Sequence, residues 1–339
     1  MDRLWLAGTT EAVLEPDLEI CDAHHHLWPE GGGRAAYDLE DLWVDTGAGH
    51  RVVDTVFIEC SAAYLEHGPV SMRPVGETSF VADRAARSAD GSGSKIAAII
   101  GHADLTLGDA VQDVLSAHIE AAGGRFRGVR HSGAWDPSPL IPRSHSNPPP
   151  RLYAQPEFRR GLTALGKLGL SFEAWQMHPQ LDEVVALARA HPEVTIVVNH
   201  LGAPMGIGPY AGRRAEVLEV WRPAMERLVT CPNVVLKLGG IGMARFGAGF
   251  ETLPQPPNSD QLVGFWGDQL RWCIDRFGPP RCMFESNYPV DAESCSYVVL
   301  WNAFKKVSAG YGQVERAQLF AGTAREVYRI GSAARQHRS

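Results

Sequence analysis

Three histidines in a row follow an aspartate in the stretch CDAHHHLW, residues 21–28. A neutral imidazole can ligate a metal, and it can move a proton near neutral pH. In an extended chain alternate side chains share a face, so His24 and His26 point one way and His25 the other. Two imidazoles about 7 Å apart by backbone spacing can reach one metal ion or one substrate oxygen. Asp22 is expected on the same face, one step deeper. A third imidazole, His200, closes VVNHLGAP; alternation groups it with Ile196 and Val198 and turns Asn199 the other way. Near the C-terminus, FESNYPVD supplies Glu285, Asn287 and Asp291. Asn287 is neutral and cannot take a proton from water, whereas a carboxylate can. Glu285 lies two residues before Asn287, on the same face and about 6.6 Å deeper. Asp291, just beyond, is the second candidate base. The competing reading of Glu285 is a buried ion-pair partner of Lys237 or Arg130.

Charge and ring surfaces recur at other points of this kind. FRGVRHSGAW offers Arg130, whose guanidinium suits bidentate binding of a substrate carboxylate. Lys237, Asn287, Trp135 and Trp175 complete the candidate substrate-binding set, the tryptophans by stacking on a ring. Glu59, Tyr64, His102 and Asp104 supply further polar groups, and His178 in MHPQ is a possible extra ligand just past a strand. The glycine-rich segment 202–214 lacks the spacing of a dinucleotide loop, and no G-x-S-x-G elbow occurs.

Something must bring residues 24, 130, 200 and 285 together. Short apolar, β-branched runs at 18–26, 52–60, 95–103, 126–132, 170–176, 194–200, 234–240 and 281–287 read as eight strands. Amphipathic stretches at 77–89, 108–122, 156–168, 180–190, 213–230, 260–277 and 294–308 read as helices. Buried parallel strands alternating with helices predict a (β/α)8 TIM barrel, with a doubly wound sheet as the alternative. Each strand run ends in polar residues, which in a barrel converge on one mouth. The proline-rich stretches 136–150 and 247–259 follow strands four and seven and are expected as lids over that face.

With these residues in view, the chain resembles the amidohydrolase superfamily. The features are H-x-H after an early strand, N-H-L-G on a later one, FESNYPVD, and the closing LFAGTAREVYRI at 319–330. The resemblance is to the amidohydrolase-2 group, a branch with 2-pyrone-4,6-dicarboxylate lactonase, L-fuconolactonase and carboxymuconate-semialdehyde-type decarboxylases. It covers about 18–330, within a single domain spanning 1–339. It implies a (β/α)8 barrel and a hydrolase or non-oxidative decarboxylase. His24, His26 and His200 become the polarising or metal-binding imidazoles. One departure stands out: that group ends strand eight in Gly-Ser-Asp or Gly-Thr-Asp, whereas this chain has Glu285-Ser286-Asn287. The missing aspartate puts metal binding in question. The reading favours a metal-free site, with one divalent ion, zinc first, as the alternative.

Composition sets the outer limits. The chain has 339 residues, 45% hydrophobic and 21% charged, with a formal net charge of −7. An acidic balance argues against general binding to nucleic acid or an anionic membrane. No apolar run approaches the roughly 20 residues of a membrane helix, and no leader pattern opens the chain. Six scattered cysteines without a C-x-x-C pair fit free thiols in the cytoplasm. The expectation is therefore a cytoplasmic lactonase for a carboxylated small molecule, with His24, His26, His200 and Glu285 or Asp291 catalytic and a homo-oligomer left open. Its alternatives are a metal-dependent decarboxylase of an aromatic or muconate-type acid and a non-catalytic barrel that binds small acids.

Overall fold

A computed structural model describes residues 2–31 and 34–331. Eight strands form one sheet: β1 (Glu19–His25), β2 (Arg51–Ile58), β3 (Lys95–Gly101), β4 (Phe126–Arg130), β5 (Ser171–Ala174), β6 (Ile196–Val198), β7 (Val234–Leu238) and β8 (Cys282–Phe284). Each pairs in parallel with the next, in sequence order. Just past β8, Asn287 N donates to His24 O (2.9 Å) and His26 N to Tyr288 O (2.8 Å), which closes the ring. The (β/α)8 barrel is thus the observed fold.

The helices are α1 (Arg3–Leu6), α2 (Leu39–Thr46), α3 (Val75–Asp90), α4 (Val111–Ala121), α5 (Pro156–Lys167), α6 (Leu181–Ala190), α7 (Arg214–Val229), α8 (Ser259–Phe277), α9 (Tyr297–Val307), α10 (Gln313–Ala317) and α11 (Thr323–Val327). Those from α3 to α9 match the amphipathic stretches. The sequence reading passed over α2, although Asp38 and Asp41 form a capping box at its start (Leu39 N to Asp38 Oδ1, 2.7 Å; Asp38 N to Asp41 Oδ2, 3.2 Å).

Apolar packing splits into two layers. Small and branched side chains fill the barrel: Cys21, Ala23, Val56, Ile58, Ala98, Ile100, Val197, Val235 and Met283. The aromatic Phe57, Phe172 and Phe284, with Ile196 and Val198, lie in the outer core with the helices. Ala321, Ala324 and Tyr328 of the C-terminal segment join the inner layer, so that segment plugs the barrel floor. There Lys237 pairs with Glu173 (2.9 Å) and the Tyr328 hydroxyl donates to the same carboxylate (2.5 Å), all fully buried. Burial of this kind is tolerated only because the charges are paired.

The register of β1 carries the first correction. Asp22 pairs with Thr55 and His25 with Phe57, so three residues of β1 span two of β2. This bulge reverses the alternation. Cys21, Ala23 and then His24 all face inward, and Asp22 faces outward instead of joining His24 and His26. Asp22 accepts from Ser286 N (2.8 Å), Ser286 Oγ (2.6 Å) and the Tyr297 hydroxyl of α9 (2.9 Å).

Candidate active site

Three segments deliver the imidazoles and their carboxylate. His24 comes from β1 and His26 from the residue just past it, His200 from the turn after β6 and Glu285 from the residue after β8. His200 does not follow the predicted alternation either. Ile196 and Val198 face the outer core, and Asn199 turns inward to Glu173 (2.5 Å). His200 then adopts a left-handed backbone (φ 51°), followed by Leu201 (φ 56°), and this swings the ring inward as well. The His24 and His200 ring centroids lie 4.7 Å apart, and those of His24 and His26 lie 4.9 Å apart. All three are almost fully buried.

Glu285 sits between two of the rings. Its Oε1 accepts from His200 Nδ1 (2.6 Å) and from His200 N (3.2 Å). Its Oε2 lies 2.7 Å from His24 Nδ1, at an angle poor for a ring N–H hydrogen bond. Neither Lys237 nor Arg130 is its partner, since Lys237 pairs with Glu173 and Arg130 with Glu59. Two glycines make room for this carboxylate. A Cβ on Gly239 would stand 2.3 Å from Glu285 Cγ, and one on Gly240 (φ 66°) 2.6 Å from His200 Nδ1. The glycine pair in LKLGG is the sequence feature that marks this approach, and the sequence reading did not use it.

The partners fix the tautomers. His26 Nδ1 lies 2.8 Å from Ile58 O, which only accepts, so Nδ1 carries the hydrogen and Nε2 a lone pair. Arg130 Nη1, which only donates, lies 3.3 Å from His24 Nε2, so that nitrogen is also an acceptor. The two Nε2 atoms lie 3.3 Å apart. Burial holds all three imidazoles well below their ordinary pKa, hence neutral. Facing lone pairs need a cation or a donor between them. Two nitrogens ligating one tetrahedral zinc are spaced by about 3.3 Å, given a metal–nitrogen distance of about 2.0–2.1 Å. Further, His24, His200 and Glu285 offer ligand atoms all within 4.8 Å of one another. The residues therefore fit a divalent metal ion.

Burial pushes the Glu285 carboxyl up to about 8, and Lys237 offsets this only in part. A carboxylate of raised basicity holds an imidazole N–H more strongly and stabilises an imidazolium as it forms.

Other expected site residues have different duties. Lys237 belongs to the floor and does not reach the mouth. Arg130 is committed: Nε donates to Glu59 Oε1 (2.7 Å), Nη2 to Glu59 O and Nη1 to His24. Asp291 is fully buried, with Oδ2 accepting from Gly242 N (2.8 Å) and Oδ1 from Asn287 Nδ2 (2.7 Å). Both oxygens are occupied, so it holds the β7 and β8 loops together rather than facing water, and the Asn287 amide is spent on the same contact. His178 accepts from Met205 N (3.3 Å) and packs on Tyr210, away from the imidazole group. Trp175 lies edge-on to His200 (5.0 Å), whereas Trp135 is half-buried, its amide bound to Gln180. Sequence reasoning missed Arg245, in the loop after β7. Its guanidinium lies 5.8 Å from the Trp175 ring centroid, and it lines a 980 Å³ cavity with Trp28 and Arg34.

The chain belongs to the amidohydrolase family, whose profile matches residues 21–330. It is a hydrolase of the amidohydrolase superfamily with lactonase-like relatives. An uncharacterized protein of Sinorhizobium fredii, y4mH, is 30% identical over 334 residues, covering 93% of this chain and 99% of that one. The L-fucono-1,5-lactonase of Burkholderia multivorans is 24% identical, covering 91% of this chain and 95% of that protein. A crystal structure of an amidohydrolase from Burkholderia multivorans with bound zinc superposes with a TM-score of 0.71 at 23% identity, over 92% of this chain and 99% of that one. Among the described residues, no helix is long and apolar enough to cross a membrane.

Proposed function

We propose that this barrel hydrolyses a lactone of a small, anionic or polyhydroxylated acid. The observation that carries the reading is the 2.6 Å His200–Glu285 pair set against the His24–His26 pair. With its Nδ1–H held by Glu285, His200 presents the Nε2 lone pair as the base that takes a proton from the attacking water. Glu285 is then a positioning residue, in place of the direct base expected from sequence, because both its oxygens face imidazoles. The tautomers of His24 and His26 leave no N–H to polarise a carbonyl, which favours the divalent-ion reading over the metal-free one. His24 and His26 would hold the ion through Nε2, which leaves His200 free as the base, and the ion supplies Lewis-acid polarisation when bound. The Arg130 guanidinium stays fixed by Glu59, and its Nη1 contact would yield the His24 Nε2 lone pair to the ion when one is bound.

Arg245 is the better candidate for an anionic substrate group. It borders the 980 Å³ cavity, and no hydrogen bond or ion pair among the described residues holds its guanidinium. Trp175 and Trp28 supply apolar faces beside it. The lactonase-named relatives support this substrate class.

The test is a panel of sugar-acid lactones and pyrone carboxylates, with acid release followed by a pH indicator. The reading expects at least one substrate with kcat/KM of about 10⁴ M⁻¹ s⁻¹ or more. No turnover above background across the panel, by zinc-loaded or metal-depleted protein, overturns it. Carbon dioxide release from an aromatic acid instead would select the decarboxylase reading.

A further inference from the structure

We infer that Glu59, His102 and His145 form a second divalent-cation site of the zinc class, which clamps the 136–150 loop onto the barrel mouth. Glu59 follows β2, His102 follows β3, and His145 lies in the proline-rich loop after β4. Their ligand atoms lie within 4.8 Å of one another. None of them belongs to the His24–His200–Glu285 group, so this inference stands apart from the lactonase reading.

Three features point to a cation. The first is a buried carboxylate oxygen with no well-formed hydrogen bond. Glu59 is fully buried, and its Oε1 is taken by Arg130, but its Oε2 has no hydrogen-bond partner. His145 Nε2 stands 3.0 Å from that oxygen, too obliquely for its ring N–H to donate. Leaving such an oxygen unsatisfied is costly. The second is the His102 tautomer. Its Nδ1 lies 3.0 Å from Arg130 O, so Nδ1 carries the hydrogen and the Nε2 lone pair is left for a ligand. A ring held from behind by a backbone carbonyl is the usual support of a metal-bound histidine. The third is donor chemistry. Two imidazole nitrogens and one carboxylate oxygen suit zinc, and a three-residue set keeps a fourth position open. Calcium or magnesium would call for oxygen ligands.

The ion would have a route in. His102 lines a 720 Å³ cavity with Tyr64, Asp104 and His131, and His145 is exposed. Arg130 stands between this group and the imidazole site, with Nε on Glu59 and Nη1 on His24. Its charge is already matched by Glu59 Oε1, which leaves Oε2 for the cation. A cation here would join β2 and β3 to a loop otherwise tied in at Ser146 Oγ to Ser132 O (3.4 Å) and at Asp136 Oδ2, which accepts from the Tyr210 hydroxyl (2.7 Å).

The experiment uses full-length, metal-depleted protein titrated with zinc against a chromophoric chelator, so that only tight sites are counted. The protein is compared with His102→Gln/His145→Gln and, as a milder change in an exposed loop, with His145→Gln alone. The double variant is expected to bind one tight equivalent fewer than the parent, and the single variant to bind that equivalent about tenfold or more weakly. Zinc should also slow tryptic cleavage after the exposed Arg143 in the parent and not in the double variant. Equal zinc stoichiometry and affinity in all three proteins, or no tight zinc in the parent, overturns the proposal.

Discussion

Replacing Glu285 by glutamine keeps the shape of the side chain and removes one of its two acceptors. Glu285 Oε1 takes two N–H groups of His200, at 2.6 and 3.2 Å, and Oε2 lies 2.7 Å from His24 Nδ1. A glutamine has one carbonyl oxygen and one NH2, so in either orientation one imidazole Nδ1–H meets a donor. That ring must change tautomer. If it is His200, the Nε2 lone pair is lost as a base. If it is His24, its new Nε2–H meets Arg130 Nη1, now 3.3 Å away as a donor. A lost charge-assisted hydrogen bond is worth about 1.5–3 kcal/mol, and a base in the wrong tautomer costs about 10²–10⁴ in kcat. The fold should not suffer, because burial already penalises the ionised form of Glu285. The assay is lactone turnover beside thermal unfolding of the same preparation. The expected result is kcat lowered at least about a hundredfold, KM little changed and an unfolding temperature equal to or above the parent's. A folded variant with kcat within about threefold of the parent would refute the dyad.

Further predictions follow from neighbouring contacts. Activity should rise with pH through about 8, the range to which burial pushes Glu285, because the ionised carboxylate is the form that holds the His200 Nδ1–H; a profile that falls over that range contradicts the assignment. Arg245→Ala should raise KM for an anionic lactone by about 10–100-fold with a smaller effect on kcat, since Arg245 lines the cavity and makes no hydrogen bond to the imidazoles; an unchanged KM would remove it from the site. Gly239→Ala puts a methyl group 2.3 Å from Glu285 Cγ, so kcat should drop about a hundredfold with native-like circular dichroism, and normal turnover would show that the dyad tolerates displacement. Lys237→Met strands the buried Glu173 carboxylate and should cost about 3–5 kcal/mol in urea unfolding; a cost under about 1 kcal/mol would mean that Glu173 is protonated or solvated.

The barrel was legible because its strands are buried on both faces, so runs such as VTIVVNH and VVLKLGG stand out as apolar and β-branched. Strand ends were less so. Runs read as 194–200 and 281–287 pair only over Ile196–Val198 and Cys282–Phe284, because their polar ends leave the sheet to enter the mouth. The gathering of His24, His26, His200 and Glu285 was legible too, since parallel strands deliver their C-terminal ends to one place. Strict alternation failed where the backbone departs from a regular strand. The β1 bulge turned Asp22 outward, and the left-handed turn at His200 swung that ring inward; both are tertiary effects with no period in the sequence. Pairing among buried charges was equally hidden. Nothing in the order of residues shows that Glu59 would claim Arg130 or that Glu173 would claim Lys237, leaving Arg245 in the cavity.

The central claim is that the hydrogens of the site lie on the Nδ1 atoms, so that the imidazoles carry their lone pairs on Nε2. Two-bond nitrogen–proton correlation spectra of protein labelled with ¹⁵N-histidine read this directly, with His26 and His200 assigned through single substitutions. In metal-depleted protein above the Glu285 transition, both rings should be neutral with Nδ1 protonated and Nε2 bare. A ring hydrogen on Nε2 of either residue, or an imidazolium at that pH, would contradict the account.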